Sequence, residues 1–268
     1  MQPFRFNLSV SNVNILSSIF NFMKKIILAS FGIYMLFSLF SCNGNGNVFS
    51  QTIVGSGEVV TDKRTVGSFS GVSLEFSGDV EIRQSNETAV DVVAQANIAS
   101  EVETVVENDI LHIRFKKRNG NFRFKKLTVY VTSPNIENIS LTGSGDLSAL
   151  SDIKSNNLKV ALKGSGNIKL KQIDCTSIDA HVQGSGNINV TGGTAQSAEY
   201  SVFGSGDLAV ENLKVRSANV KLTGSGNINC MATESITAKS TGSGDINYYG
   251  HPTNTVVSST GSGSINTK

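Results

Sequence analysis

Val182-Gln183-Gly184-Ser185-Gly186-Asn187-Ile188-Asn189-Val190 is one of seven near-copies of the same passage. The Gly-Ser-Gly tripeptides begin at Gly143, Gly164, Gly184, Gly204, Gly224, Gly242 and Gly261, at steps of 21, 20, 20, 20, 18 and 19 residues. A period near 20 is too short for a pair of helices and suits one coil of a β-solenoid. Apolar residues alternate on both sides of each tripeptide. Downstream run Leu147, Ile168, Ile188, Leu208, Ile228, Ile246 and Ile265; upstream stand Leu141, Leu162, Val182, Val202 and Leu222. A strand with one face inward therefore arrives at a glycine turn, and a second leaves it. A flexible Gly-Ser linker would not carry this flanking pattern.

Stacking such coils places like residues over like. Leu and Ile form inner columns. Asp146, Asn167, Asn187, Asp207, Asn227, Asp245 and Ser264 form a polar column at the corner, where side chains can hydrogen-bond along the stack. At ~4.8 Å per coil, seven coils span roughly 30 Å. The fold expected is all-β, a parallel β-helix with coils of about 20 residues.

The first 41 residues read as an export signal. Met23-Lys24-Lys25 is a short basic start, Ile26 to Phe40 is apolar, and the segment closes on Ser41-Cys42. This resembles a bacterial lipoprotein signal, which implies cleavage before Cys42 and lipid attachment there, with Met23 the true start. Residues 42–51 form a tether, 52–135 an N-terminal β part, and 136–268 the regular repeats. The apolar run is marginal in length for a membrane span. Asn43 to Asn47 lacks an acidic run, so the expected place is the outer membrane, facing either the periplasm or the outside. Without Arg5, Lys24 and Lys25, the 23 basic residues become 20 against 21 acidic. That balance excludes general nucleic-acid binding.

Residues 52–135 carry more charge and lack the regular tripeptide. Gly78-Asp79-Val80-Glu81-Ile82 is a degenerate coil, and Asn119-Gly120, between Leu111-Ile113-Phe115 and Phe122-Phe124, signals a hairpin. Phe69-Ser70-Gly71-Val72, that degenerate coil, and Leu141-Thr142-Gly143-Ser144-Gly145-Asp146-Leu147 together resemble the "Putative auto-transporter adhesin, head GIN domain" family of Bacteroidetes-type lipoproteins. The resemblance covers residues of about 67–250. It implies a right-handed parallel β-helix and an adhesive role, and it brings no catalytic residues.

Two sets of residues are candidates for binding. Arg114, Lys116, Lys117, Arg118, Arg123, Lys125 and Lys126 crowd the Asn-Gly turn, seven cations within 13 residues, with Phe115, Phe122 and Phe124 between them. They would attract anionic glycans or lipid phosphates, or would be a solvated hairpin tip. Lys163, Gln183, Phe203 and Thr223 stand one before the tripeptide and face outward. Such a ladder can hold a repeating polymer through many weak contacts, and a solenoid needs polar residues there in any case.

No motif calls for a cofactor, and none points to a metal site: the three histidines lack ligand spacing and the corner column mixes acids with amides. Catalytic motifs are missing as well. The function expected is a non-catalytic envelope protein that binds a glycan or a protein partner. A structural spacer and a polysaccharide-cleaving β-helix enzyme are the alternatives.

Overall fold

The computed structural model describes residues 52–117 and 120–268. The signal segment and the whole tether, Cys42 included, lie outside the described residues, as do Arg118 and Asn119. Strands in chain order are β1 (Ile53–Val54), β2 (Val59–Arg64), β3 (Gly71–Leu74), β4 (Asp79–Gln84), β5 (Ala89–Gln95), β6 (Val102–Glu107) and β7 (Ile110–Phe115). Then follow β8 (Phe122–Arg123), β9 (Leu127–Ser133), β10 (Asn138–Gly143), β11 (Asp146–Ala149), β12 (Ile153–Gly164), β13 (Asn167–Gly184) and β14 (Asn187–Gly204). The last are β15 (Leu208–Val210), β16 (Leu213–Gly224), β17 (Ile228–Met231), β18 (Ser235–Gly242), β19 (Ile246–Tyr249), β20 (Asn254–Gly261) and β21 (Ile265–Thr267). One short helix, α1 (Ala96–Ala99), follows β5.

The coils stack as the period predicts. The strands entering each tripeptide pair in parallel, β3–β10–β12–β13–β14–β16–β18–β20. The strands leaving it form a second parallel row from β4 and β11 to β21. Seven tripeptides thus bound six complete turns of a parallel β-solenoid. Ile168, Ile188 and Leu208 lie in register and are fully buried. Each such side chain contributes about 1.5–3 kcal/mol, and the column exists only because coils lie on both sides of it.

The tripeptide is required by the stacking. The first glycine holds a positive φ at every repeat, from 123° at Gly261 to 133° at Gly143 and Gly242, a region closed to residues with a Cβ. The carbonyl of that glycine accepts two N–H bonds from the next coil: Ser185 N and Gly186 N donate to Gly164 O at 2.9 and 3.0 Å. The same pair recurs at Gly143, Gly184, Gly204, Gly224 and Gly242.

The N-terminal part both begins and caps the solenoid. Strands β3 and β4 are its first coil, in register with β10 and β11. Beneath them lie β7 and β9, which β6 and β5 continue antiparallel; β2 then pairs with β5. Here the expected hairpin needs correction. β8 does not return against β7 but pairs in parallel with β1. The hairpin in this region joins β6 to β7 through Asn108-Asp109, whose φ values of 53° and 64° give a two-residue turn.

Candidate functional site

The strands entering the tripeptides present one long outward face. Thr142, Lys163, Gln183, Phe203, Thr223, Thr241 and Thr260 occupy a single register row, each paired with the next. Strand alternation turns this row to solvent because its neighbours Leu141, Leu162, Val182, Val202 and Leu222 fill the core. The four sequence-predicted residues Lys163, Gln183, Phe203 and Thr223 are therefore brought together. Phe203 is 57% exposed, an unusual state for an aromatic side chain. Two residues earlier runs a parallel row of Ser140, Ala161, His181, Ser201, Lys221 and Lys239. Within it His181 Nδ1 lies 2.6 Å from Ser201 Oγ.

The main row does not stop at Thr142. Leu141 pairs with Leu74, and Leu74 with Ile113, so Glu75 and Arg114 continue it one residue further on. There the face runs into a cleft of about 480 Å³ lined by Glu75, Phe76, Arg114, Phe115, Phe122 and Phe124, with Thr142 at its edge. The rings form one cluster: Phe115 stacks on Phe122 at 3.7 Å and meets Phe76 at 4.8 Å and Phe124 at 6.2 Å. On the polar side Glu75 Oε1 lies 2.7 Å from His112 Nδ1.

The seven cations of this region are not one free patch. Arg114 is only 14% exposed and is held by two carboxylates, Nε donating to Glu103 at 2.6 Å and Nη2 to Glu107 at 3.0 Å. The hydrogen bond that Arg114 donates to Glu103, then that to Glu107, raises its pKa above the ordinary value. Lys116 Nζ donates to the Ser100 carbonyl at 2.6 Å. Lys117, Arg123, Lys125 and Lys126 are exposed, though none of them lines the cleft, while Arg118 lies outside the described residues. The sequence pattern missed Glu75 and His112. The signal was present in Leu74-Glu75-Phe76-Ser77-Gly78-Asp79, which matches Leu141-Thr142-Gly143-Ser144-Gly145-Asp146 with Phe76 in place of the first glycine.

The corner acids are occupied in the stack. Asn167 Nδ2 donates to Asp146 Oδ1 at 2.8 Å and Asn187 Nδ2 to Asn167 Oδ1 at 3.1 Å. Upward, Asp207 N donates to Asn187 Oδ1, Asn227 N to Asp207 Oδ1, Asp245 N to Asn227 Oδ1, and Ser264 N to Asp245 Oδ1, at 2.7 to 3.2 Å. An oxygen that accepts N–H bonds from the coil above serves as a structural acceptor. Among the described residues no three His, Cys, Asp or Glu side chains converge as for a metal ion. No helix among them is long and apolar enough to cross a membrane.

The profile of the family described as "Putative auto-transporter adhesin, head GIN domain" matches residues 68–252, and the chain belongs to that family. The fold is similar to a "putative adhesin" from Bacteroides fragilis, at 29% identity and a TM-score of 0.76 over 81% of this chain and all of that one. It is also similar to a "putative lipid binding protein" from Parabacteroides distasonis, at 27% identity and a TM-score of 0.70 with the same coverage. A "putative adhesin" from Parabacteroides merdae, at 23% identity and a TM-score of 0.64 over 81% of this chain and 99% of that one, shares the fold. No curated protein matches the chain. The family is adhesin-like, belongs with cell-envelope and surface proteins, and takes its name from adhesion, with no reaction attached to it.

Proposed function

We propose that the chain is a non-catalytic envelope lipoprotein, lipidated at Cys42 and attached to the outer membrane, whose head binds a glycan or a protein partner along its outward face. The observation that carries this reading is the register row from Arg114 and Glu75 through Lys163, Gln183 and Phe203 to Thr260. It offers outward side chains at the coil spacing, most of them polar, with one exposed aromatic ring in the middle. A repeating polymer can engage several coils at once, so weak contacts add to useful avidity.

The phenylalanine cleft favours a second reading, in which the ligand carries an apolar part and a negative charge beside Lys125 and Lys126. The Parabacteroides distasonis relative called a lipid binding protein agrees with it. Both readings are tested by presenting the purified protein with a glycan array and with vesicles of anionic phospholipid. Phe203→Ala is expected to weaken glycan or protein binding roughly tenfold; Phe122→Ala is expected to weaken vesicle binding. A protein that binds neither set, and no surface protein, is a spacer. Release of oligosaccharide products would establish the enzyme alternative.

A further inference from the structure

The two ends of the solenoid are finished differently. At the N-terminal end the outermost strands are β2 and β6, and both carry charge. Asp62, Lys63 and Arg64 stand on β2, and Glu103 and Glu107 on β6. Charges on an edge strand oppose the addition of another strand. At the C-terminal end β20 pairs with β18 and β21 with β19, each along one edge, among the described residues. All eight residues of β20 are exposed, Val256 at 64% and Val257 at 48%. From Pro252 to Thr267 no residue carries a charge, and proline is absent from both strands. The core columns through Ile236, Ala238 and Ser240 arrive at Thr255, Val257 and Ser259, and among the described residues no strand pairs beyond them.

We propose that the β20 edge is the interface of a two-fold symmetric dimer, in which β20 pairs antiparallel with β20 of a second copy of this chain. A two-fold axis across an edge strand necessarily makes the new pair antiparallel, and it satisfies the unpaired N–H and C=O groups of both copies. The segment Thr-Val-Val-Ser-Ser-Thr is rich in residues that favour strands. Its neutrality fits itself as a partner, because like residues meet across the axis and like charges there would repel. In the register centred on Val257, that side chain meets its counterpart and closes the open column, while Val256 faces Ser258 of the second copy. An acidic or basic partner would find no complementary charge on this edge. Pairing about an axis normal to the sheet also keeps the outward rows of both copies on one side. In that register Thr260 faces Asn254 of the second copy, so the two outward rows share one side without forming a single line.

The test is sedimentation of the full chain in mild detergent, together with Val256→Lys and, separately, Ser258→Lys. Both positions face outward, so circular dichroism and thermal melting should match the unmodified protein. The unmodified chain should sediment with the protein mass of two chains, and each lysine variant with that of one. Ser258→Cys should yield a two-chain product with a short bismaleimide, and Glu87→Cys, at the other end of the solenoid, should not. A monomeric unmodified chain, a dimer that survives both lysines, or cross-linked products growing beyond two chains would each overturn the proposal.

Discussion

The carbonyl oxygen of Gly143 lies where a Cβ on Gly164 would stand 2.2 Å away, one coil above it. The same clash recurs up the stack: 2.4 Å between Gly184 and Gly164, 2.3 Å between Gly204 and Gly184. The glycines are thus fixed by the coil beneath as well as by their own φ of 126° to 131°. Gly184→Ala should cost about 3 kcal/mol or more, combining a strained φ with a displaced backbone carbonyl. Gly67→Ala, where a Cβ meets nothing within 4 Å, should stay within about 0.5 kcal/mol. Urea melts of the two variants make the comparison.

The register of the coil is tested by neighbouring residues. Ile188 is fully buried between Ile168 and Leu208, and Asn189 is exposed beside Lys169. Ile188→Asp should cost several kcal/mol through an unpaired buried carboxylate. Asn189→Asp should change stability by no more than ~0.5 kcal/mol. A slip of one residue would reverse the two outcomes.

Most of this was legible in the sequence because a solenoid repeats its own evidence. The inner column of Ile168, Ile188 and Leu208, the corner column from Asp146 to Ser264 and the outward row of Lys163, Gln183 and Phe203 each recur at the period, so neighbouring coils corroborate one another. The N-terminal part offered no such repetition. Asn119-Gly120 is a strong local turn signal, yet β8 pairs with β1, far upstream, and distant pairing leaves no mark on local pattern. Asn108-Asp109 between two alternating runs was the turn that mattered. Placing it sets Glu103 directly opposite Arg114 and removes that arginine from the free cations.

Tyr200 is fully buried, and its hydroxyl has no hydrogen-bond partner among the described residues. A buried, unsatisfied hydroxyl costs roughly 1–3 kcal/mol. Tyr200→Phe should therefore leave stability unchanged or raise it by about 1 kcal/mol, measured by chemical denaturation. A loss larger than that would show that the hydroxyl makes a bond of value.

Burial raises the Tyr200 pKa well above 10.0, with Cys230 and then Cys175 adding to the shift. It also pushes Cys175 up to about 11 and Cys230 to about 12 from an ordinary 9.0, with smaller contributions from Asp174 and Glu211 respectively. Above pH 9.0 the unfolded chain loses thiol protons that the folded chain keeps, so stability must fall as pH rises. The contribution is complete below that pH and disappears as the folded values are passed. The melting temperature should decline steadily above pH 9.0, and Cys230→Ala should shallow the decline.

An adhesive head must meet its ligand outside the cell, with the Gln183 face free. Gln183→Cys places a thiol in the middle of that face, whereas the native Cys230 is buried and Cys175 is half-buried with a raised pKa. Labelling intact cells with a membrane-impermeant maleimide is the direct measurement. The account predicts that the variant is labelled on intact cells as fully as after permeabilisation. Labelling that appears only once the outer membrane is opened would place the face in the periplasm and contradict an adhesin.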